Sequence, residues 1–245
     1  MNPFEHAQEN LQRHLAQNPY PGRGLIVGRA ATDTAWVQVY WIMGRSANSR
    51  NRRFVIEGTT LRTEPVDRSL IQDPSLIIYE AMLEGDSIYL VSNGDQTRTI
   101  WHALHVGGTF EGALLTRERE PDAPHYTPRI SGMLDLRTRT AQIVLNILKA
   151  NQANPALTDH TTWRPALPPV GLGYCLTTYM GDGTPLPAFV GDPLLMPLPG
   201  SPVEIMECYW QVLNVENRIS LAVKWIPDDP PATTELFVRN RFGGE

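Results

Sequence analysis

The sequence predicts a mixed fold of the α+β type. Three observations carry that expectation. Many short runs are rich in β-branched and aromatic residues, a few stretches have the one-sided apolar spacing of helices, and no internal repeat or heptad runs through the chain. Hydrophobic residues make up 42% and charged residues 19% of the 245 positions, enough apolar material for a core and a composition unlike that of disordered chains.

In chain order, residues 3–17 read as a short polar helix stopped by Asn18-Pro19-Tyr20-Pro21-Gly22, where two prolines and a glycine break regular structure. Gly24–Gly28 and Ala35–Ile42 flank the turn Ala31–Thr34 and read as a β-hairpin. Phe54–Glu57 and Thr59–Glu64 are expected strands split by Gly58. Asp73-Pro74 has the form of an N-cap followed by a first helical proline, so Ser75–Glu84 is expected to be a helix ending near Gly85. Ser87–Ser92 is the clearest strand, and Asn93-Gly94 after it suits a turn with positive φ. Thr97–Gly107 reads as a helix and Arg129–Asp135 as a strand. Ala141–Ala150, with Ile143, Val144, Ile147 and Leu148 on one side, has helical spacing. Asn151–Pro169 reads as a polar join, and Pro185–Pro202 as a long proline-rich loop. Gly173–Thr178, Glu204–Leu213, Ile219–Trp225 and Glu235–Val238 are the remaining strand candidates. Nothing resembling an interdomain linker interrupts the series.

The formal net charge of -5 argues against broad nucleic-acid binding, which needs an extended positive surface. No apolar stretch is long enough to cross a bilayer and no basic-then-apolar leader opens the chain. Cys175 and Cys208 fit no redox or metal spacing. A cytoplasmic protein without membrane association is therefore expected. There is no dinucleotide fingerprint and no Gly-Lys-Ser/Thr phosphate loop. The six histidines follow no zinc pattern; His102 and His105 share a predicted helix but read as ordinary helix residues, so no metal is expected.

Arginine dominates the cations: Lys149 and Lys224 are the only lysines among 21 basic residues. Its planar fork of donors suits phosphate and carboxylate groups. The segment Gly44–Arg53 (GRSANSRNRR) holds four of these arginines with two serines and two asparagines, directly after a strand. Guanidinium groups so close repel unless an anion neutralises them, and serine and asparagine add neutral donors. A solvated basic loop and a cradle for a phosphate or carboxylate are both compatible with that composition. Ser92-Asn93-Gly94-Asp95 and Tyr126-Thr127-Pro128-Arg129 are further polar clusters at strand ends, where pocket residues often lie.

Five segments together resemble a known family. Tyr20–Arg29 (YPGRGLIVGR), Met43–Arg52 (MGRSANSRNR), Asp73–Met82 (DPSLIIYEAM), Val91–Ile100 (VSNGDQTRTI) and Tyr126–Gly132 (YTPRISG) occur in the order found in the archaeal-type inosine monophosphate cyclohydrolases, with Thr177-Thr178-Tyr179 as a closing piece. The resemblance implies a four-layer αββα sandwich similar to the N-terminal-nucleophile hydrolases. It implies closure of 5-formamidoimidazole-4-carboxamide ribonucleotide to inosine monophosphate with loss of water, a purine ribonucleotide as the small-molecule partner, and no organic cofactor. By the same resemblance Arg50, Tyr79 and Arg129 are the expected catalytic residues, and Arg23, Arg45, Ser46, Asn93 and Thr127 the expected substrate-binding ones. Residues 1–19 would be an extension ahead of one domain spanning 20–245. The chain departs from the family where Ala47-Asn48-Ser49 stand in place of a Phe-Pro-Asn step, and residues 180–245 carry no transferable motif. An amidohydrolase or cyclase acting on another nucleotide-like amide, and a nucleotide-binding protein without turnover, remain alternatives. Self-association is left open.

The chemistry asks for specific groups. Ring closure within one molecule requires the formamide to be held in its reactive rotamer. Donors must stabilise charge growing on the formyl oxygen, and a base must take the amide proton. Arg45 and Arg50 would meet the phosphate or oxyanion, Tyr79 would move a proton or polarise the carbonyl, and Arg129 would orient the substrate. Asp95, Glu111 and Asp135 are the carboxylates considered as a partner base, without a choice among them.

Overall fold

Several strands of this chain are apolar on both faces, and that property sets the architecture. The computed structural model describes residues 2–70, 77–228 and 233–243. They form a mixed α+β fold with two large antiparallel sheets. The first sheet runs β11 (Leu194–Pro197), β10 (Leu172–Thr177), β1 (Gly24–Arg29), β2 (Ala35–Met43), β12 (Arg218–Pro227), β13 (Glu235–Asn240). The second runs β3 (Arg53–Glu57), β4 (Thr60–Glu64), β5 (Glu80–Gly85), β6 (Ile88–Ser92), β7 (Arg129–Asp135), β8 (Gln142–Ala150), β9 (Thr158–Trp163). The helices are α1 (Pro3–Leu11), continued as a π-helix over Gln12–Ala16, α2 (Ala47–Arg50), α3 (Gln96–His105), α4 (Phe110–Leu114) and α5 (Pro202–Val212).

Strand β2 shows how the layers are specified. Residues two apart share a face of a strand. Val37, Val39, Trp41 and Met43 pack with Leu11 and Leu15 of the first helical segment and with Ile205 and Tyr209 of α5. Tyr40 and Ile42, on the opposite face, meet Leu61, Val91, Ile130 and Leu145 of the second sheet. A third core joins Ile100 of α3 and Phe110 and Leu114 of α4 to Leu83, Leu90, Met133 and Val144. Each large aliphatic or aromatic side chain fully buried in this way contributes about 1.5–3 kcal/mol.

Polar contacts also tie one sheet to the other. Lys224 of β12 is fully buried, donates to the Thr59 carbonyl at 2.8 Å and is ion-paired with Glu84 of β5. Asn240 at the end of β13 accepts from the Phe54 N–H and donates to the Phe54 carbonyl, each at 2.9 Å. Its amide thus acts as a strand rung between β13 and β3.

Three expected elements change type. Glu80–Gly85 is strand β5 where a helix was expected over Ser75–Glu84; the Asp73-Pro74 cap lies outside the described residues. Met82 pairs with Leu61 on one side and Val91 on the other, so sheet pairing overrides the helical propensity of Glu-Ala-Met-Leu-Glu. Ala141–Ala150 is not a helix: Gln142–Ala150 forms strand β8. Ile143, Leu145 and Ile147 face the first sheet's core while Val144 and Leu148 face α3 and α4, and a strand buried on both faces loses the alternation that would reveal it. Conversely, Glu204–Leu213 was expected as a strand, and Pro202–Val212 is helix α5. Ser201 and Glu204 form a reciprocal capping box with Pro202 at the first turn, a sequence signature of a helix start. Strands β9 and β11 lie in the stretches read as a polar join and a loop. At Asn93-Gly94 the chain enters α3 without a positive φ; a Cβ on Gly94 would lie 2.4 Å from Arg129 Nη1, so that side chain would have to shift to admit one.

Candidate functional site

Strands β1, β2 and β10 meet the segments that follow α2 and precede β7 at one end of the sheets, and a cavity of about 260 Å³ opens there. Its wall is built from the approach to β1 (Tyr20, Gly22, Arg23), the arginine segment after β2 (Arg45, Ser46, Asn48, Ser49, Arg52), the loop before β7 (Glu120, Asp122, His125, Thr127) and the residues after β10 (Thr178, Tyr179, Leu186). Gly22 adopts φ +72°, and a Cβ on it would lie 2.2 Å from Thr178 Oγ1 and 2.5 Å from the Tyr179 ring. Only glycine lets the β1 approach pass this close to the β10 end.

The electrostatics of the cavity are unusual for a buried place. Arg23 and Glu120 form an ion pair at 3.0 Å, with the Glu120 side chain 4% exposed. Burial opposes the Arg23 charge, but Glu120 and the neighbouring tyrosines outweigh it and hold the guanidinium well above its ordinary pKa. Burial lifts the Glu120 carboxyl above the ordinary glutamate value, although Arg23 pulls it the other way. Arg52 is only 4% exposed, and its Nε and Nη1 have no hydrogen-bond partner among the described residues. Burial, reinforced by repulsion from Arg23, lowers its pKa, yet an arginine retains its charge at any physiological pH. Arg45 lies 4.8 Å above the Tyr20 ring and is ion-paired with Asp182. Asn48 Oδ1 is buried without a partner among the described residues. Three guanidinium groups thus share one wall with a single buried carboxylate pairing among them, an arrangement that favours an anionic ligand.

Two flanking asparagines fix the backbone around Arg52. Asn51 donates to the Asp67 carbonyl and accepts from the Asp67 N–H, both at 2.7 Å, and Phe54 is held by Asn240. Ser46 and Ser49 cap α2 reciprocally. In the loop before β7, the Asp122 carboxylate accepts from the Thr127 N–H at 2.6 Å and from the Thr127 hydroxyl. Thr127 Oγ1 lies 2.6 Å from the Tyr179 hydroxyl. His125 Nδ1 accepts from the Leu186 N–H at 3.1 Å, which places the proton of a neutral ring on Nε2.

Of the residues expected from sequence, Arg23, Arg45, Ser46 and Thr127 line the cavity. Arg50, Tyr79, Arg129 and Asn93 are not among its lining residues. Arg50 donates to the Gly44 carbonyl at 3.1 Å and the Glu216 carbonyl at 3.2 Å, which ties the arginine segment to the loop after α5. Tyr79 is buried with its hydroxyl 2.7 Å from that of Tyr40, and both tyrosines act electrostatically on Arg23 and Arg52. Arg129 donates to Asp95 at 2.8 Å and Gln96 at 2.9 Å. Asn93 donates to the Pro128 carbonyl and accepts from the Ile130 N–H and Gln96, joining β6 to β7. The carboxylates considered from sequence pair elsewhere: Asp95 with Arg129 and Arg117, Glu111 with Arg164, Asp135 with Arg137.

Arg52, Glu120, Asp122, His125 and Tyr179 also line the wall without having been singled out. Arg52 stood in the arginine segment with no role, and Tyr179 closed the last motif with none. Glu120 belongs to the run Arg117-Glu118-Arg119-Glu120, whose alternating charges look like a solvated turn.

Among the described residues, no group of three His, Cys, Asp or Glu side chains is placed to hold a metal ion, and no helix is long and apolar enough to cross a membrane. Residues 20–230 match the model of a family described as IMP cyclohydrolase-like protein. No curated protein matches the chain.

Proposed function

We propose, from the premise that this chain belongs to the IMP cyclohydrolase-like family, that it closes 5-formamidoimidazole-4-carboxamide ribonucleotide to inosine monophosphate and releases water. The observation that carries this reading is Arg52, a buried guanidinium with two unpartnered nitrogens on the same wall as the Arg23–Glu120 pair. An uncompensated buried cation costs several kcal/mol, and a phosphate or a developing oxyanion removes that cost on binding. Arg52, Arg45 and Ser46 hold the anionic end of the nucleotide.

Glu120, with its pKa lifted by burial, takes a proton from the carboxamide nitrogen as that nitrogen bonds to the formyl carbon. The formyl oxygen gains the displaced electron pair and is stabilised by Arg23. The proton held by Glu120 passes to that oxygen to give a hydroxyl; the formamido N–H proton then follows by the same carboxyl to the hydroxyl, which leaves as water as the C=N bond completes the ring. No organic cofactor enters these steps. Arg50, Arg129 and Asn93 act by holding the segments that carry the wall, and Tyr79 is held to Tyr40 through their hydroxyls at 2.7 Å. The three cores order the layers as helices, sheet, sheet, helices, which supports the four-layer αββα sandwich implied by the family resemblance. Residues 20–245 are read as one domain on which the first helical segment packs through Leu11 and Leu15.

Purified protein incubated with the formamido nucleotide is expected to produce inosine monophosphate, followed by ultraviolet absorbance. Arg52→Met is expected to lower kcat/KM by about 100-fold or more with the thermal midpoint retained or raised, since the substitution removes a buried unpaired charge. Binding of the nucleotide without product identifies a non-catalytic binding protein. Turnover by Arg52→Met at the wild-type rate removes Arg52 from the site.

A further inference from the structure

Asp122, Thr127 and Tyr179 form a chain whose proton order follows from their chemistry. A carboxylate oxygen accepts and has no proton to give, so the Thr127 hydroxyl donates to Asp122. That hydroxyl has a single proton. Toward Tyr179, 2.6 Å away, Thr127 Oγ1 can therefore only accept. Tyr179 donates its own proton to Thr127, and burial raises its pKa above the ordinary value, which keeps that proton in place. What remains on the phenol oxygen at the cavity wall is acceptor capacity, and no described protein group donates to it.

The chain is also held rigidly. The His125 and Tyr126 N–H groups donate to the Asp122 carbonyl at 3.0 and 3.2 Å, and Tyr126 takes φ +45° to bring Thr127 round to the carboxylate. The Tyr179 ring is stacked on Tyr20 at 5.9 Å, and its N–H donates to the Pro21 carbonyl at 3.2 Å. A polar atom fixed in one hydrogen-bonding sense discriminates more strongly than a free hydroxyl, which rotates to suit either donor or acceptor.

We infer that Tyr179 is a specificity-determining residue, held by Asp122 and Thr127 as an obligate acceptor for an N–H or O–H donor of the ligand. The inference rests on the nucleotide reading above and deepens it. The proposed substrate carries such donors on its carboxamide, its formamido nitrogen and both ribose hydroxyls; the contact is assigned to the carboxamide NH₂ or the 2′-hydroxyl, the two that the probes below separate.

The test is calorimetric binding of three probes: 5-aminoimidazole-4-carboxamide ribonucleotide, its 2′-deoxy form, and 5-aminoimidazole ribonucleotide, which lacks the carboxamide. Tyr179→Phe is expected to weaken the first probe about 10-fold, the size of one good hydrogen bond. It should leave unchanged the probe that lacks the donor, which identifies the group. Thr127→Val retains the phenol but frees its proton, so it should narrow the difference in affinity between the donor-bearing and donor-lacking probes, and Thr127→Ser should restore that difference. Equal weakening of all three probes by Tyr179→Phe, no weakening of any, or wild-type discrimination among the probes in Thr127→Val overturns the inference while the functional reading stands. Failure of the wild-type protein to bind all three overturns both.

Discussion

At Glu120, burial and pairing compete, and the outcome sets a pH dependence. The desolvated carboxyl holds its proton to higher pH than the ordinary value of 4.5, despite Arg23 at 3.0 Å. A base must be deprotonated to act, so turnover is expected to rise with pH through this raised pKa. The acidic limb of the kcat/KM profile should lie above that of an ordinary glutamate. Glu120→Gln should lose the limb and at least about 100-fold in rate; an unchanged profile in that variant would show that another group is the base. Part of the candidate site was legible at this scale: Arg23, Arg45, Ser46 and Thr127, picked out from the sequence, all line the cavity. Which arginine turns inward was not. Arg50 and Arg52 differ by two positions, and the choice depends on where α2 ends and on the Asn51 bonds to Asp67, contacts made with residues distant in sequence. Glu120 was hidden for a similar reason: its neighbours make it look solvated, and only the fold buries it.

Elements that carry their own boundary signals are the ones most open to a local test. Helix α5 begins at a reciprocal Ser201–Glu204 box, with Glu204 Oε2 accepting from the Ser201 N–H and hydroxyl at 2.8 Å. Ser201→Ala is expected to cost about 1 kcal/mol, read as a lower denaturant midpoint at constant m-value. No change would mean that the helix is held by its packing alone. The same helix was misread as a strand because Ile205, Tyr209, Trp210 and Val212 suggested β composition more loudly than the cap suggested a start. The hairpin β1–β2, the β3–β4 pair, β6, β7, β10, β12, β13 and the helices α1 and α3 were legible because each has a clear period or a turn at its end. Strand β8 was not: burial on both faces gives an apolar run whose spacing matches a helix as well as a strand. Strand β9, edge-placed and polar, offers no pattern of its own.

For the molecule as a whole, the polar ties between the sheets matter beside the apolar core. Lys224, fully buried, reaches from β12 to Glu84 and to the Thr59 carbonyl, and Thr234 donates to the same carboxylate at 2.8 Å. Burial lowers the Lys224 pKa, with Glu84 opposing. Breaking such a pair strands its partner, so Lys224→Met is expected to destabilise the fold by about 3–5 kcal/mol. Lys224→Met combined with Glu84→Leu should recover much of the loss, as measured by chemical denaturation. Equal stability in the single variant would mean that the tie contributes nothing.

Asn240 has a different reach. Its amide substitutes for a strand neighbour at Phe54, two residues after Arg52, while Asn51 anchors the residue just before Arg52. The backbone on both sides of the unpaired guanidinium is thereby ordered when the chain folds, before any ligand arrives. Ligand binding need not immobilise that stretch, so strand β13 takes part in setting how firmly the proposed anion is gripped.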